Sequence, residues 1–122
     1  MLVKTYNYLL KIEYDGTKFV GWQTQKNGQS IQDKIENSLS KVLNSKIKII
    51  GAGRTDKGVH ALGQHANFKS EIKIENKKKF INSLNFFLSK HSISIIKISR
   101  KKLSFNSRHD AKERIYKYLI IN

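Results

Sequence analysis

The sequence predicts an α/β (α+β) domain in which a mixed, mostly antiparallel sheet carries two helices on one face, in a βαββαβ-like order. Three observations lead there. Apolar residues alternate at period two in short runs, as in YNYLLKIEY at residues 6–14, which marks half-buried strands. Two longer segments, 30–44 and 76–90, repeat their apolar residues at spacings of three and four, as a helix with one buried side must. A chain of 122 residues with 39% hydrophobic content suits one compact core and leaves no room for a second domain.

Taken in order, Tyr6, Tyr8, Leu10, Ile12 and Tyr14 share one face of the first strand. Residues 15–29, DGTKFVGWQTQKNGQ, then break the pattern, with Gly16, Gly21 and Gly28 around Phe19 and Trp22. This segment either borders a site or caps the core edge with its aromatics. Ser30 opens a helix with Asp33 three residues on, close to a capping box, and Ile31, Ile35, Leu39 and Val42 form its core stripe. Residues 47–50 read as a short strand delivering the chain into a glycine-rich segment, 51–64. Residues 64–69, with Ala66 and Phe68 in alternation, read as the strand leaving it. The second helix, 76–90, places Phe80, Ile81, Leu84, Phe87 and Leu88 on one face. Its first turn holds Lys77, Lys78 and Lys79, which oppose the helix dipole; a phosphate partner and a plainly solvated basic face both accommodate them. An apolar strand at 93–98, ISIIKI, precedes a basic, irregular stretch at 100–114, and a strand at 115–121, IYKYLII, closes the chain.

Lys and Arg number 24 against 9 Asp and Glu, a formal charge of +15, and so dense a surplus favours a polyanion, nucleic acid before membrane. Abundant Lys, Asn and Ile with no Pro would also follow from compositional drift. The absence of cysteine rules out disulfides and thiolate metal sites and agrees with a reducing compartment. No apolar run reaches the length of a membrane span, and the N-terminus lacks the pattern of a signal peptide, so the expected location is cytoplasmic with no membrane partner.

Residues 51–64, GAGRTDKGVHALGQ, carry the chemistry. Gly51, Gly53, Gly58 and Gly63 frame Arg54, Asp56, Lys57 and His60, and such a loop lets charged side chains approach a ligand closely. Locally, Thr-Asp-x-Gly is also ordinary turn chemistry. His60 and His65 lie five apart across Gly63 with no third clustered donor, so no metal is expected; His60 reads as a loop-ordering hydrogen-bond partner and His65 as a residue on the strand's solvent side.

The run G-R-T-D-x-G-V-H-A followed by G-Q resembles the signature of the tRNA pseudouridine synthase A (TruA) family. So do E-Y-D-G-T-x-F-x-G-W-Q-x-Q at residues 13–25 and the F-x-x-R and R-x-Y-x-Y elements at 105–108 and 114–118. The resemblance implies a pseudouridine synthase N-terminal domain with Asp56 as catalytic nucleophile. It also implies a substrate-binding set of Arg54, Thr55, Gly58, His60, Arg114 and Tyr116, with Tyr116 stacking on the uracil. The sequence departs from the family pattern at Lys57, Ser89, Asn106 and Ser107, which bears on loop geometry. The resemblance covers only the first of the family's two pseudo-symmetric halves, so the chain is expected to correspond to an N-terminal half without the second.

Isomerising uridine breaks a carbon–nitrogen glycosidic bond, turns the uracil in place and joins its C5 to the ribose. This needs neither electrons nor a high-energy phosphate, so no cofactor is expected. An ionised carboxylate in a closed pocket supplies the nucleophile, and the target base must first leave its stack. Arg54 either holds Asp56 ionised or grips a phosphate of the flipped nucleotide. The expected function is tRNA uridine isomerisation in the anticodon stem-loop, at the family's positions 38 to 40. The alternative is a non-catalytic RNA-binding remnant, or a half-enzyme needing a second domain. Expected partners are tRNA and either a second copy or a complementary second half.

Overall fold

Residues 4–15, 30–51 and 61–108 are described by the structure, a computed structural model, with the backbone alone at 61–63. Strand β1 (Tyr6–Tyr14) leads to helix α1 (Ile31–Leu43), and strands β2 (Ile49–Gly51) and β3 (Ala61–Ser70) follow. Helix α2 (Lys77–Leu88), a 3₁₀ turn (Ser89–His91) and strand β4 (Ile93–Lys101) complete the described elements. The sheet order is β2-β3-β1-β4, and each described pair is antiparallel. With the helices inserted, this is the split βαβ, ferredoxin-like connectivity.

The period-two pattern of β1 decides which side the helices cover. Tyr8, Leu10, Ile12 and Tyr14 are buried while Lys11 between them is exposed, and a register slip of one residue would exchange the two sets. Onto the buried face α1 sets Ile31, Ile35, Leu39 and Leu43, and α2 sets Phe80, Leu84 and Leu88. Ala66 and Phe68 of β3 and Ile93, Ile95 and Ile98 of β4 complete the same cluster. Each fully buried Leu or Ile contributes about 1.5–3 kcal/mol.

Caps stop both helices where sequence chemistry allows. Ser30 Oγ accepts from the Asp33 N–H at 3.0 Å, and Asn44, left-handed at φ 51°, ends α1. Asn76 Oδ1 accepts from the Lys79 N–H at 3.0 Å to open α2. That helix ends at Leu88 rather than at 90, because residues 89–91 tighten into the 3₁₀ turn before Ser92, at φ 60°, redirects the chain.

The strands run longer than their apolar runs. The strand expected at 64–69 spans Ala61–Ser70, and the one expected at 93–98 continues to Lys101. Pairing with the nine-residue β1 satisfies backbone groups along the full edge regardless of side-chain polarity. The short strand expected at 47–50 lies at Ile49–Gly51, with Ile47 buried just before it. The strand expected at 115–121 and the segment at 16–29 lie outside the described residues.

Candidate active site

Gly51 ends β2 and Ala61 begins β3, so the residues that carry Arg54, Thr55, Asp56, Gly58 and His60 are strung between two paired strands. Those five, with Arg114 and Tyr116, lie outside the described residues. The structure does define where their segment is held. Tyr14, the last residue of β1, is the cross-strand partner of Ala61 on one side and of Ile93 on the other. The Asp15 N–H then donates to the Ser92 carbonyl at 3.0 Å. Segments 16–29 and 52–60, which hold the aromatic-glycine and R-T-D motifs, therefore leave the sheet from the same end.

Two features set the course of the strands that flank segment 52–60. Between the Ile12↔Gln64 and Tyr14↔Ala61 pairs, β3 carries one more residue than β1, a bulge in the stretch that contains Gly63. Bulges of this kind re-aim a strand beside active sites. The second is Glu36, a carboxylate buried on α1. Its Oε2 accepts from the Ile49 N–H at 2.9 Å and from Gln32 Nε2 at 3.1 Å, while Lys48 Nζ lies 3.6 Å from Oε1. A charge-assisted bond to backbone is worth about 1.5–3 kcal/mol, so Glu36 pins the first residue of β2, the strand that leads the chain into the motif.

The sheet face away from the helices is basic. Lys11 on β1 is directly opposite His65 on β3 and Lys97 on β4, a row of three basic side chains across three strands. They line an open cavity of about 280 Å³ with Leu9, Ser99 and Lys101. Like charges placed directly opposite are destabilising by a few tenths of a kcal/mol, on the order of 0.2–1, a cost a bound polyanion would offset. His65 thus stands on the non-core side of its strand, as its position in the alternation predicts. Among the described residues, no group of three or more His, Cys, Asp or Glu is placed to hold a metal ion.

At the far end of this face the stretch after β4 folds back over two buried asparagines. Asn7 Nδ2 donates to the carbonyls of Lys102 and Phe105, each at 3.0 Å. Asn67 Nδ2 donates to Asn7 Oδ1 at 3.2 Å, and the Ser107 N–H donates to Asn67 Oδ1 at 2.9 Å. Asn106 Oδ1 accepts from the Arg108 N–H at 3.0 Å, so this departure from the family pattern makes a local turn bond. Ser107 differs: its Oγ is buried with no hydrogen-bond partner among the described residues.

A family model described as tRNA pseudouridine synthase matches residues 11–110, from the middle of β1 through the Phe105 turn. The chain belongs to the tRNA pseudouridine synthase family. It is 49% identical over 117 residues to a protein of Pelagibacter ubique named tRNA pseudouridine synthase A, covering 96% of this chain and 48% of that protein. A protein of the same name from Caldicellulosiruptor saccharolyticus is 48% identical over 116 residues, with 95% and 47% covered. Another, from Thermodesulfovibrio yellowstonii, is 46% identical over 116 residues, with 93% and 44% covered. The chain thus spans about half the length of the curated relatives it matches.

Against the family frame, the placement of the R-T-D motif between two strands was legible in sequence, but Glu36, the Lys11 row and the Asn7–Asn67 network were not. Glu36 adjoins the buried stripe beside Ile35, which hints at its burial, yet only the packed position of β2 supplies its partners. The basic row needs the cross-strand register. Among the described residues no helix is long and apolar enough to cross a membrane.

Proposed function

We propose that this chain is the catalytic half of a cytoplasmic tRNA uridine isomerase acting in the anticodon stem-loop. The observation that carries the reading is the G-R-T-D-x-G-V-H-A run at residues 53–61, which follows β2 and leads into β3, in a chain of this family and at the sheet end from which the second motif also departs. Asp56 is the carboxylate nucleophile. The bond from ribose C1′ to uracil N1 breaks, C1′ joins C5, and the proton lost from C5 is balanced by one gained at N1, so the reaction needs no net oxidant or group donor. Arg54, Thr55, Gly58 and His60 shape and charge the loop around the flipped nucleotide, while Arg114 and Tyr116 supply a cation and a stacking surface. The basic row of Lys11 and Lys97 supports RNA as the substrate class, since it faces away from the core with no structural need for its charge.

The remaining walls of the pocket come from a complementary second half or a second copy of the chain. A carboxylate in an open loop lacks the dry, shaped surroundings that retain a cleaved base for reattachment. A second reading, a non-catalytic RNA-binding half, is favoured by one fact: the chain spans about half of its relatives while carrying the basic face itself. Pseudouridine formation in tRNA separates the two. The chain alone is expected to fold without turnover and to gain activity when the second half is supplied. No turnover with any second half would establish the binding reading instead. Robust turnover by residues 1–122 alone would mean that copies of the chain rebuild the site between them.

A further inference from the structure

The helical layer carries a second basic feature, on the opposite side of the core from the Lys11 row. A crevice of about 70 Å³ between α1 and the end of α2 is lined by Lys34, Asn37, Ser38, Lys41, Phe87, Leu88, Lys90 and His91. None of these residues is acidic. Lys34 and Lys41 stand two turns apart on the same flank of α1, with Asn37 between them. Lys90 and His91 arrive from the 3₁₀ turn that ends at Ser92. Lys41 Nζ lies 5.2 Å from the centre of the Phe87 ring, which holds its ammonium at the crevice wall. The space accommodates a few waters or one tetrahedral oxyanion.

Lys90, in the 3₁₀ turn that follows α2, has a structural reason to be there, since it sits at the negative end of that helix. Lys41 has the same reason in the last turn of α1, but Lys34 has none, because it lies near the N-terminal end of that helix, where a cation is unfavourable. We propose that this crevice is a phosphate-binding site, gripping a phosphate group between Lys34, Lys41 and Lys90 with the Asn37 amide as an additional donor, and separate from the Asp56 segment. The charge around it is felt locally. The His91 pKa is held below its ordinary value by burial first, and then by Lys34, Lys90 and Lys41. A bound phosphate would reverse the sign of that local field and let the imidazolium form. The inference goes beyond the catalytic reading and would hold even if the chain isomerised nothing.

The 122-residue chain, titrated with inorganic pyrophosphate and separately with an RNA stem-loop while the His91 imidazole is followed by NMR, tests this. The expected result is a saturable upward shift of the His91 pKa. It should be lost in a variant carrying Lys34→Gln, Lys41→Gln and Lys90→Gln, and the same variant should lose about 2 to 3 units of RNA salt slope, roughly one per lysine. A response to both ligands identifies an RNA backbone as the source of the phosphate, and a response to pyrophosphate alone identifies a small phosphorylated molecule. No shift with either ligand, or an equal shift in the triple variant, overturns the proposal. Asp56→Asn should leave the response intact, so loss of catalysis and loss of this site are read separately.

Discussion

Two side chains carry sharp expectations at the scale of a single residue. Asp56→Asn keeps size and polarity while removing the nucleophile, so isomerisation should be abolished and tRNA affinity should stay within a few-fold. Turnover and binding are to be measured with the second half supplied, and retained turnover in the Asn variant would remove Asp56 from its assigned role. Ser107 makes the opposite case, a polar atom with no visible use. Its backbone N–H is engaged by Asn67 while its Oγ is buried and unpartnered among the described residues. Ser107→Ala is therefore expected to stabilise the chain by about 1 kcal/mol, the usual penalty for such a group. A thermal melt showing no gain, or a loss, would mean that the hydroxyl has a use.

At the scale of elements, the short β2 depends on α1. Three residues pair with β3, too few to hold themselves, and the Glu36 carboxylate takes the Ile49 N–H that would otherwise be unpaired in the interior. Glu36→Ala should destabilise the fold by about 2–3 kcal/mol, while Glu36→Gln, which keeps an acceptor oxygen, should lose less. Chemical denaturation gives both values, and equal losses would show that packing rather than the bond is responsible. The outer strand has its own guard. At the β4 bulge, where Ile96 is the extra residue, Asn85 of α2 accepts from the Ile95 N–H at 2.8 Å and donates to the Ile95 carbonyl at 3.1 Å. A strand that lies at the edge among the described residues thus has one residue's backbone groups closed off from other chains. Asn85→Ala should reopen them and increase self-association in light scattering, with an unchanged monomer fraction counting against the role.

For the whole molecule, the +15 charge has a consequence that stability and binding should show with opposite signs. RNA affinity should fall steeply with salt, because several counterions leave when phosphates meet this surface. In a Lys11→Gln, Lys97→Gln variant the slope should drop by about two. The same variant should melt slightly higher, because the cross-strand repulsion is gone. A variant that bound less RNA yet was also less stable would show that these lysines hold the sheet together instead.

Several features of this protein follow from its sequence alone. The alternation of Tyr6 to Tyr14, the Ile31-Ile35-Leu39 stripe and the Ser30 and Asn76 caps are local, because strand period, helix period and capping are decided within a few residues. The R-T-D run between two strands is local too, and it pointed to the family. Tertiary structure decided what depends on register and on meeting across the core. The continuation of β4 through Arg100 and Lys101, residues too polar to read as a strand, comes from pairing with β1. The row of Lys11, His65 and Lys97 joins residues far apart in the chain through hydrogen bonds that leave no trace in composition. Burial of Glu36 and Asn7, a charged and a polar residue, is tolerated because backbone groups of other segments arrive to satisfy them.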